Sequence, residues 1–130
     1  MLQPAELTPT SVAAAIHAAL LPVHQRLTIL ERLMFSSRNA LLFDGENTEP
    51  FYIIPLPDGT LPTAAPHHLP ALLSATALRE LTPEQSTAYV QVYGLNFPER
   101  NTDEERKKVI AREIGCLASL DAPEMGDSHV

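Results

Sequence analysis

Apolar residues recur along the first third of the chain at alternating steps of three and four positions. The stripe is Ala13, Ile16, Leu20, Val23, Leu27, Leu30, Met34 and Leu41, with Ser37 at one of its positions. This is the heptad repeat of a coiled-coil seam, held for about four repeats. It predicts a long helix from Thr8 to about Leu42, within an N-terminal dimerisation segment of residues 1–42. A second line, formed by Ile29, Leu33 and Ala40, widens the apolar face.

One proline lies inside this predicted helix. A proline removes a backbone hydrogen bond and clashes with the preceding helical turn. We therefore expect a kink at Pro22, or two helices that meet there. His17 and His24 flank the seam one heptad apart. They are either exposed flanking residues or, if the seam is an interface, groups that make association pH-sensitive, since the ordinary pKa of histidine is about 6.5.

Residues 43–73 form a proline-rich segment, which we call the strap. Its prolines exclude a long helix and a central strand; they are Pro50, Pro55, Pro57, Pro62, Pro66 and Pro70. Only Phe51–Ile54 is β-like, and Asp58-Gly59 is typical of a turn, so at most one short β-hairpin is expected. The leucines spaced among the prolines favour an ordered strap over a disordered linker.

Residues 74–120 are predicted to form a C-terminal helical module. Ser74 can cap a short helix that runs through Leu81. Capping boxes begin at Thr82 and Thr102, and glycines suited to helix C-termini follow at Gly94 and Gly115. Residues 95–98 form a predicted extended connector, and residues 121–130 a frayed tail. The fold class is therefore mainly α.

Composition narrows the class of function. Charged residues are 19% of the chain, a low value that indicates a partly covered surface. The net charge of -7 argues against a general nucleic-acid binder. The single cysteine, Cys116, excludes an internal disulfide and favours a reducing compartment. Met1–Thr8 lacks a basic leader region, and the apolar stretch 12–23 is short, so we expect an intracellular protein, cytoplasmic or nuclear, without a membrane span.

No motif in the chain predicts catalysis, a cofactor or a metal site. His67-His68 would point to opposite sides of an extended segment, and no cysteine or acid follows at zinc-site spacing. Cys116 has no neighbouring histidine in sequence that would activate a nucleophile. Phosphate loops and hydrolase motifs are absent from the sequence. A non-enzymatic protein is the expectation.

A basic patch on the last helix is the alternative candidate site. Arg106, Lys107, Lys108 and Arg112 could contact nucleic acid. Residues 84–113, however, hold five basic and six acidic side chains, a net charge of -1. Acids placed three or four positions before lysine and arginine more often form intrahelical pairs.

Two resemblances add to these predictions. The layout of Leu81–Cys116 resembles the helix-extension-helix of SAP and LEM domains. The phrases Ile53–Thr63 (IIPLPDGTLPT), Leu69–Leu72 (LPAL) and Tyr89–Leu95 (YVQVYGL) resemble mushroom-type fungal proteins with the C-terminal domain of a meiotically up-regulated fungal family. In this chain Leu56 stands where the family usually has phenylalanine. Val92 stands where the last of these motifs usually has glycine. This resemblance, over roughly residues 30–116, implies no catalytic residues and no established activity.

The favoured hypothesis is a self-associating interaction protein, a homodimer or higher oligomer, whose seam includes Ile16, Leu20, Val23, Leu27, Leu30, Met34 and Leu41. Its protein partner beyond itself stays unknown. A monomer in which the first helix packs on its own C-terminal module is the simpler alternative. A chromatin or nucleic-acid module is a further alternative. A fungal lectin-like or immunomodulatory protein is weaker, because aromatic residues are only 5% of the chain and tryptophan is absent.

Overall fold

The computed structural model describes residues 9–46, 49–95 and 102–120. These ranges hold four helices: α1 (Pro9–Leu41), α2 (Ala75–Arg79), α3 (Pro83–Val92) and α4 (Asp103–Ile114). They contain no strand, and the mainly α fold class is confirmed. The predicted tail 121–130 and most of the predicted connector 95–98 lie outside the described residues.

α1 is one continuous helix of 33 residues, with Pro22 in its interior. The alternative of two helices meeting at Pro22 is therefore wrong. At 1.5 Å per residue, the helix is about 50 Å long. Its apolar stripe thus runs along a single element, so that all seven predicted interface residues belong to one helix.

The short strand expected at Phe51–Ile54 does not form in the described residues. The backbone N–H of Phe51 donates to the Leu73 carbonyl oxygen (2.8 Å), and that of Tyr52 donates to Asn39 Oδ1 (2.7 Å). These donors bond to a loop carbonyl and to a helix side chain, so they are not available to a β ladder. The predicted turn at Asp58-Gly59 is present, with Gly59 at φ 90° and a 2.7 Å bond from Leu56 N–H to the Thr60 carbonyl oxygen.

The three C-terminal helices begin at the predicted caps. The Ser74 side chain accepts from Ala77 N–H, and the Thr82 side chain accepts from Gln85 N–H in a complete capping box. The Thr102 side chain accepts from Glu105 N–H at the start of α4. Each hydroxyl satisfies a backbone donor that the helix itself leaves unpaired. α3 and α4 therefore start where the sequence pattern predicts.

The strap and the C-terminal helices share one core. Buried strap residues pack with buried residues of α2, α3 and α4; the larger ones are Phe51, Ile54, Leu56, Leu72, Leu78, Tyr89, Tyr93, Ile110 and Ile114. The Tyr93 hydroxyl donates to the Ile54 carbonyl oxygen (2.9 Å), and the Tyr89 hydroxyl donates to that of Pro70 (2.5 Å). Burial raises the pKa of both tyrosines, so the hydroxyls stay protonated donors. We call this unit, the described part of residues 43–120, the head.

Candidate self-association surface

One side of α1 contacts the head, and Asn39 is its most buried residue. The Asn39 amide nitrogen donates to the carbonyl oxygens of Tyr52 (3.0 Å) and Ile114 (2.8 Å). Its amide oxygen accepts from Tyr52 N–H (2.7 Å). A fully buried amide must have its hydrogen bonds satisfied, and these three bonds do so while joining α1 to the strap and to the end of α4.

Three further α1 residues continue this side of the helix. Phe35 packs edge-on against the Tyr52 ring, with centroids 5.1 Å apart. Arg32 forms an ion pair of 2.5 Å with Glu113 and lies 5.6 Å from the centre of the Tyr93 ring. Thr28 approaches the turn at Gly59. We call Thr28, Arg32, Phe35 and Asn39 the head-facing side; their spacing of four, three and four is itself a heptad stripe.

A tight backbone crossing fixes the end of α4 against α1. A Cβ added to Gly115 would lie 2.0 Å from the Ser36 carbonyl oxygen, and Gly115 has φ 86°. Only glycine fits both the left-handed conformation and this close approach. Gly115 therefore has two roles: it ends α4, and it allows the backbone of α4 to lie against Ser36 of α1.

The predicted seam lies on the opposite side of α1 and is exposed. Its seven residues, Ile16, Leu20, Val23, Leu27, Leu30, Met34 and Leu41, are each between 42% and 84% exposed. At about 100° per residue, Arg32 and Asn39 point away from the seam. With Leu20 and Leu27 at heptad position a, and Val23 and Leu30 at d, the head-facing residues occupy b and f. The chain's own head leaves the seam largely exposed, and of the seven seam residues Leu27 borders the turn at residues 58–60.

The first half of α1 is exposed, and the head borders its end at His24 and Leu27, which line a groove with residues 58–60 of the turn. Every residue from Pro9 to Leu27 is exposed. From Val12 to Val23 only His17 and Pro22 interrupt a run of apolar residues. A helix of this length is marginal by itself in water, and an interior proline weakens it further. A helix that is apolar on most sides is normally buried.

The remaining predicted side chains do not converge on a chemical site. His17 and His24 are exposed at the e positions beside the seam, and His67 and His68 are exposed on the strap. Within the described ranges, no three histidine, cysteine or acidic residues form a metal-binding group. Cys116 is buried, and burial raises the pKa of its thiol.

The basic patch of α4 is partly used inside the chain. Lys107 donates to the Arg79 carbonyl oxygen (2.5 Å) and pairs with Asp103 (3.1 Å). Arg106 donates to Ser86 Oγ (2.9 Å) and also lies near Asp103. The side chains of Arg106 and Lys107 are only 13% and 12% exposed. Lys108 and Arg112 are exposed, but this internal use of Arg106 and Lys107 favours a structural role for half of the patch over phosphate contact.

Sequence reasoning missed the head-facing side, above all Asn39. A polar residue on an amphipathic helix is normally assigned to solvent. The available signal was its position between two apolar residues outside the seam, Phe35 and Leu42, on the same side of the helix. Such a pattern indicates a second contact surface around a buried polar group.

Among the described helices, none is long and apolar enough to cross a membrane.

The comparisons with known proteins identify the family of the chain. No curated protein and no solved structure matches the chain significantly. The family model described as "Mug135-like, C-terminal domain" matches residues 37–117, a range that covers nearly all of the head and begins close to Asn39. The chain therefore belongs to the Mug135-like family, through its C-terminal domain.

Proposed function

We propose that this chain is a non-enzymatic interaction protein that first associates with itself, through the seam of α1. One observation supports this most directly. Seven large apolar side chains lie in register along one helix, they are exposed, and they point away from the head. A contiguous exposed apolar surface of this kind marks an interaction site in a soluble domain. A second copy of the same helix offers a complementary heptad surface.

The energies favour association over an uncovered helix. Burying each leucine, isoleucine, valine or methionine side chain contributes roughly 1.5–3 kcal/mol. Seven such side chains contribute at most roughly 10–21 kcal/mol per chain, which is comparable with or above the association cost of about 4–15 kcal/mol. Contact between copies would also stabilise the exposed segment from Pro9 to Val23.

The head-facing side makes this association compatible with the fold. Arg32, Phe35 and Asn39 attach the head at positions b and f, on the outside of a coiled coil. Most of positions a and d is therefore open to a second copy, although the head also reaches position e, where Arg38 pairs with Glu49 (3.7 Å) and lies 5.7 Å from the centre of the Tyr52 ring. The packing of α1 on its own head, the monomer alternative, involves a different side of the helix.

Sedimentation and light scattering across a range of concentrations test the proposal. The wild-type chain should have a mass above the 14.2 kDa of one chain, and a variant with both Leu27→Glu and Leu30→Glu should have the single-chain mass. Ala14→Glu with Gln25→Glu is the matched control. It adds two acids to the same helix on the side that carries b and f, and should remain associated.

Two results would contradict the proposal. A wild-type chain with the mass of one copy at all concentrations would exclude self-association. An associated Leu27→Glu, Leu30→Glu variant would show that copies meet elsewhere. Circular dichroism and a cooperative unfolding transition check that the head of each variant is folded.

A further inference from the structure

The apolar surface of α1 is wider than a two-stranded coiled coil needs. Ile29 and Leu33 lie outside the seam, at heptad positions c and g, and are 57% and 59% exposed. Val12 and Ala40 occupy further g positions on the same side of the helix. In a pair of helices joined at a and d, position c stays in solvent and position g is only flanked. A single partner helix would leave Ile29 and much of Leu33 uncovered.

The head does not cover this second apolar side. Ile29, Leu33 and Ser36 border an open groove of about 300 Å³ beside Arg112 and Glu113 of α4. The groove is a surface cleft, with α1 forming one wall. An additional helix can therefore approach the c and g positions from the solvent side.

The residue types of the seam also disfavour two strands. Position a holds Leu20, Leu27, Met34 and Leu41, without any residue branched at Cβ. Position d holds Ile16, Val23, Leu30 and Ser37, so the β-branched residues of the seam lie at d, in its first half. Two-stranded parallel coiled coils prefer the reverse, with β-branched residues at a and leucine at d. Leucine at a with isoleucine at d shifts the preference to three or four strands.

We infer that the chain assembles as a closed parallel bundle of three or four copies, in which a and d form the centre and the g side of each α1 contacts the next copy. This inference rests on the proposed self-association. In such a bundle each helix has two neighbours, so Leu33 and the adjacent surface of Ile29 are covered. The head of each copy, attached mainly at b and f, lies toward the outside, and its contact with Arg38 borders the e side.

Charge complementarity gives the direction of the helices. Arg26 is at position g, and Glu31 is at position e of the following heptad. Within the described residues neither side chain forms an ion pair of its own. In parallel helices, g of one chain meets the following e of its neighbour, which joins Arg26 to Glu31 of the adjacent copy. Glu31 is five positions after Arg26, so the two do not face each other on one helix.

The mass of the full chain tests the number of copies. Sedimentation equilibrium should give three or four times 14.2 kDa at saturating concentration. Twice that mass would overturn the inference and leave the proposed self-association intact. The mass of one chain would overturn both, so the two failures are distinguishable.

A pair of variants tests the role of the second apolar side. Ile29→Gln with Leu33→Gln should lower the mass to that of two chains, because the seam is unchanged. Leu21→Gln is the matched control; Leu21 is 43% exposed at position b, and the variant should keep the wild-type mass. If the double variant keeps three or four copies, or falls to one, the assigned role of the g side is wrong.

A cysteine at the N-terminal end of α1 tests the direction. Ala13→Cys is made with Cys116→Ala, so that it is the only thiol. In a parallel bundle, position 13 of neighbouring chains meets at one layer, and mild oxidation should link chains in pairs on a non-reducing gel. In an antiparallel arrangement the two residues lie tens of ångströms apart at 1.5 Å per residue, and absence of the linked species from the associated protein would overturn the parallel direction.

Discussion

The amide nitrogen of Asn39 donates a hydrogen bond of 2.8 Å to the carbonyl oxygen of Ile114, joining residues 75 positions apart in the chain. Asn39 also exchanges two hydrogen bonds with the backbone of Tyr52. One side chain thus connects α1, the strap and the end of α4. The attachment of the long helix to the head depends on this polar contact as well as on apolar packing.

We expect Asn39→Ala to destabilise the protein by roughly 2–5 kcal/mol. The substitution removes three hydrogen bonds and leaves the buried Ile114 carbonyl and two partly buried backbone groups of Tyr52 unpaired, at about 1–3 kcal/mol for a buried group. Urea unfolding followed by circular dichroism measures the change. Gln25→Ala, which truncates an exposed amide on the same helix, should change the free energy of unfolding by less than about 0.5 kcal/mol. Equal effects of the two variants would contradict the role given to Asn39.

Gly115→Ala and Gly94→Ala form a second comparison. Both glycines have positive φ, so each alanine bears a left-handed backbone cost of about 1–2 kcal/mol. At Gly94 an added Cβ meets nothing within 4 Å, whereas at Gly115 it meets the Ser36 carbonyl oxygen at 2.0 Å. Thermal unfolding should therefore show a much larger loss of stability for Gly115→Ala. Similar losses would mean that α1 and the end of α4 do not cross so closely.

The carboxylate of Asp103 stabilises the fold in a pH-dependent way. Burial opposes ionisation of Asp103, but hydrogen bonds from Ser86 (2.6 Å) and Lys107, together with nearby positive charge, outweigh it and lower its pKa. A pKa that is lower in the folded state stabilises the fold above the unfolded value of about 3.8, and this contribution is lost as the pH falls through the folded pKa.

Asp103→Asn should therefore be less stable than the wild type at pH 7 and closer to it below about pH 4. Urea unfolding at several pH values measures this convergence. Glu104→Gln, an exposed acid in the same first turn of α4, is the control for the helix dipole. A wild-type advantage over Asp103→Asn that stays constant from pH 7 to pH 3 would contradict the prediction.

Charge reversal tests the pairing of Arg26 with Glu31 between copies. Arg26→Glu and Glu31→Arg each place like charges together in a parallel assembly and should weaken it by about 0.2–1 kcal/mol per pair. An equimolar mixture of the two variants should associate more strongly than either variant alone, because opposite charges then meet wherever unlike chains are neighbours. The dissociation constants, measured by sedimentation, should differ less at high salt. A mixture no stronger than its components would exclude this contact.

Much of the fold follows from local sequence signals. Ser74, Thr82 and Thr102 mark helix starts because a side-chain hydroxyl can satisfy a nearby backbone donor. Gly94 and Gly115 mark helix ends because left-handed backbone favours glycine. The long helix follows from its heptad period, and its exposed seam lies where the pattern places it. These signals act within a few residues, so a single sequence reveals them.

The features that the sequence did not reveal depend on distant partners. Phe51–Ile54 has β propensity, but the N–H of Tyr52 bonds to Asn39 in α1 and that of Phe51 to Leu73. From the sequence alone, Asn39 is expected at the surface because its side chain is polar. In the fold it is buried and donates to the backbone carbonyls of Tyr52 and Ile114. From the sequence alone, Arg106 and Lys107 belong to a basic surface patch. In the fold both pair with Asp103, and each donates a hydrogen bond within the head, to Ser86 and Arg79 respectively. Tertiary contact overrides local preference at each position.

The bonds of Asn39 also bear on the geometry of any assembly. A helix held by packing alone could swivel against its domain, but turning α1 would break three directional bonds at once. Every copy would then project from the common axis at the same angle and the same height. Equivalent points on neighbouring heads would therefore be held at fixed separations.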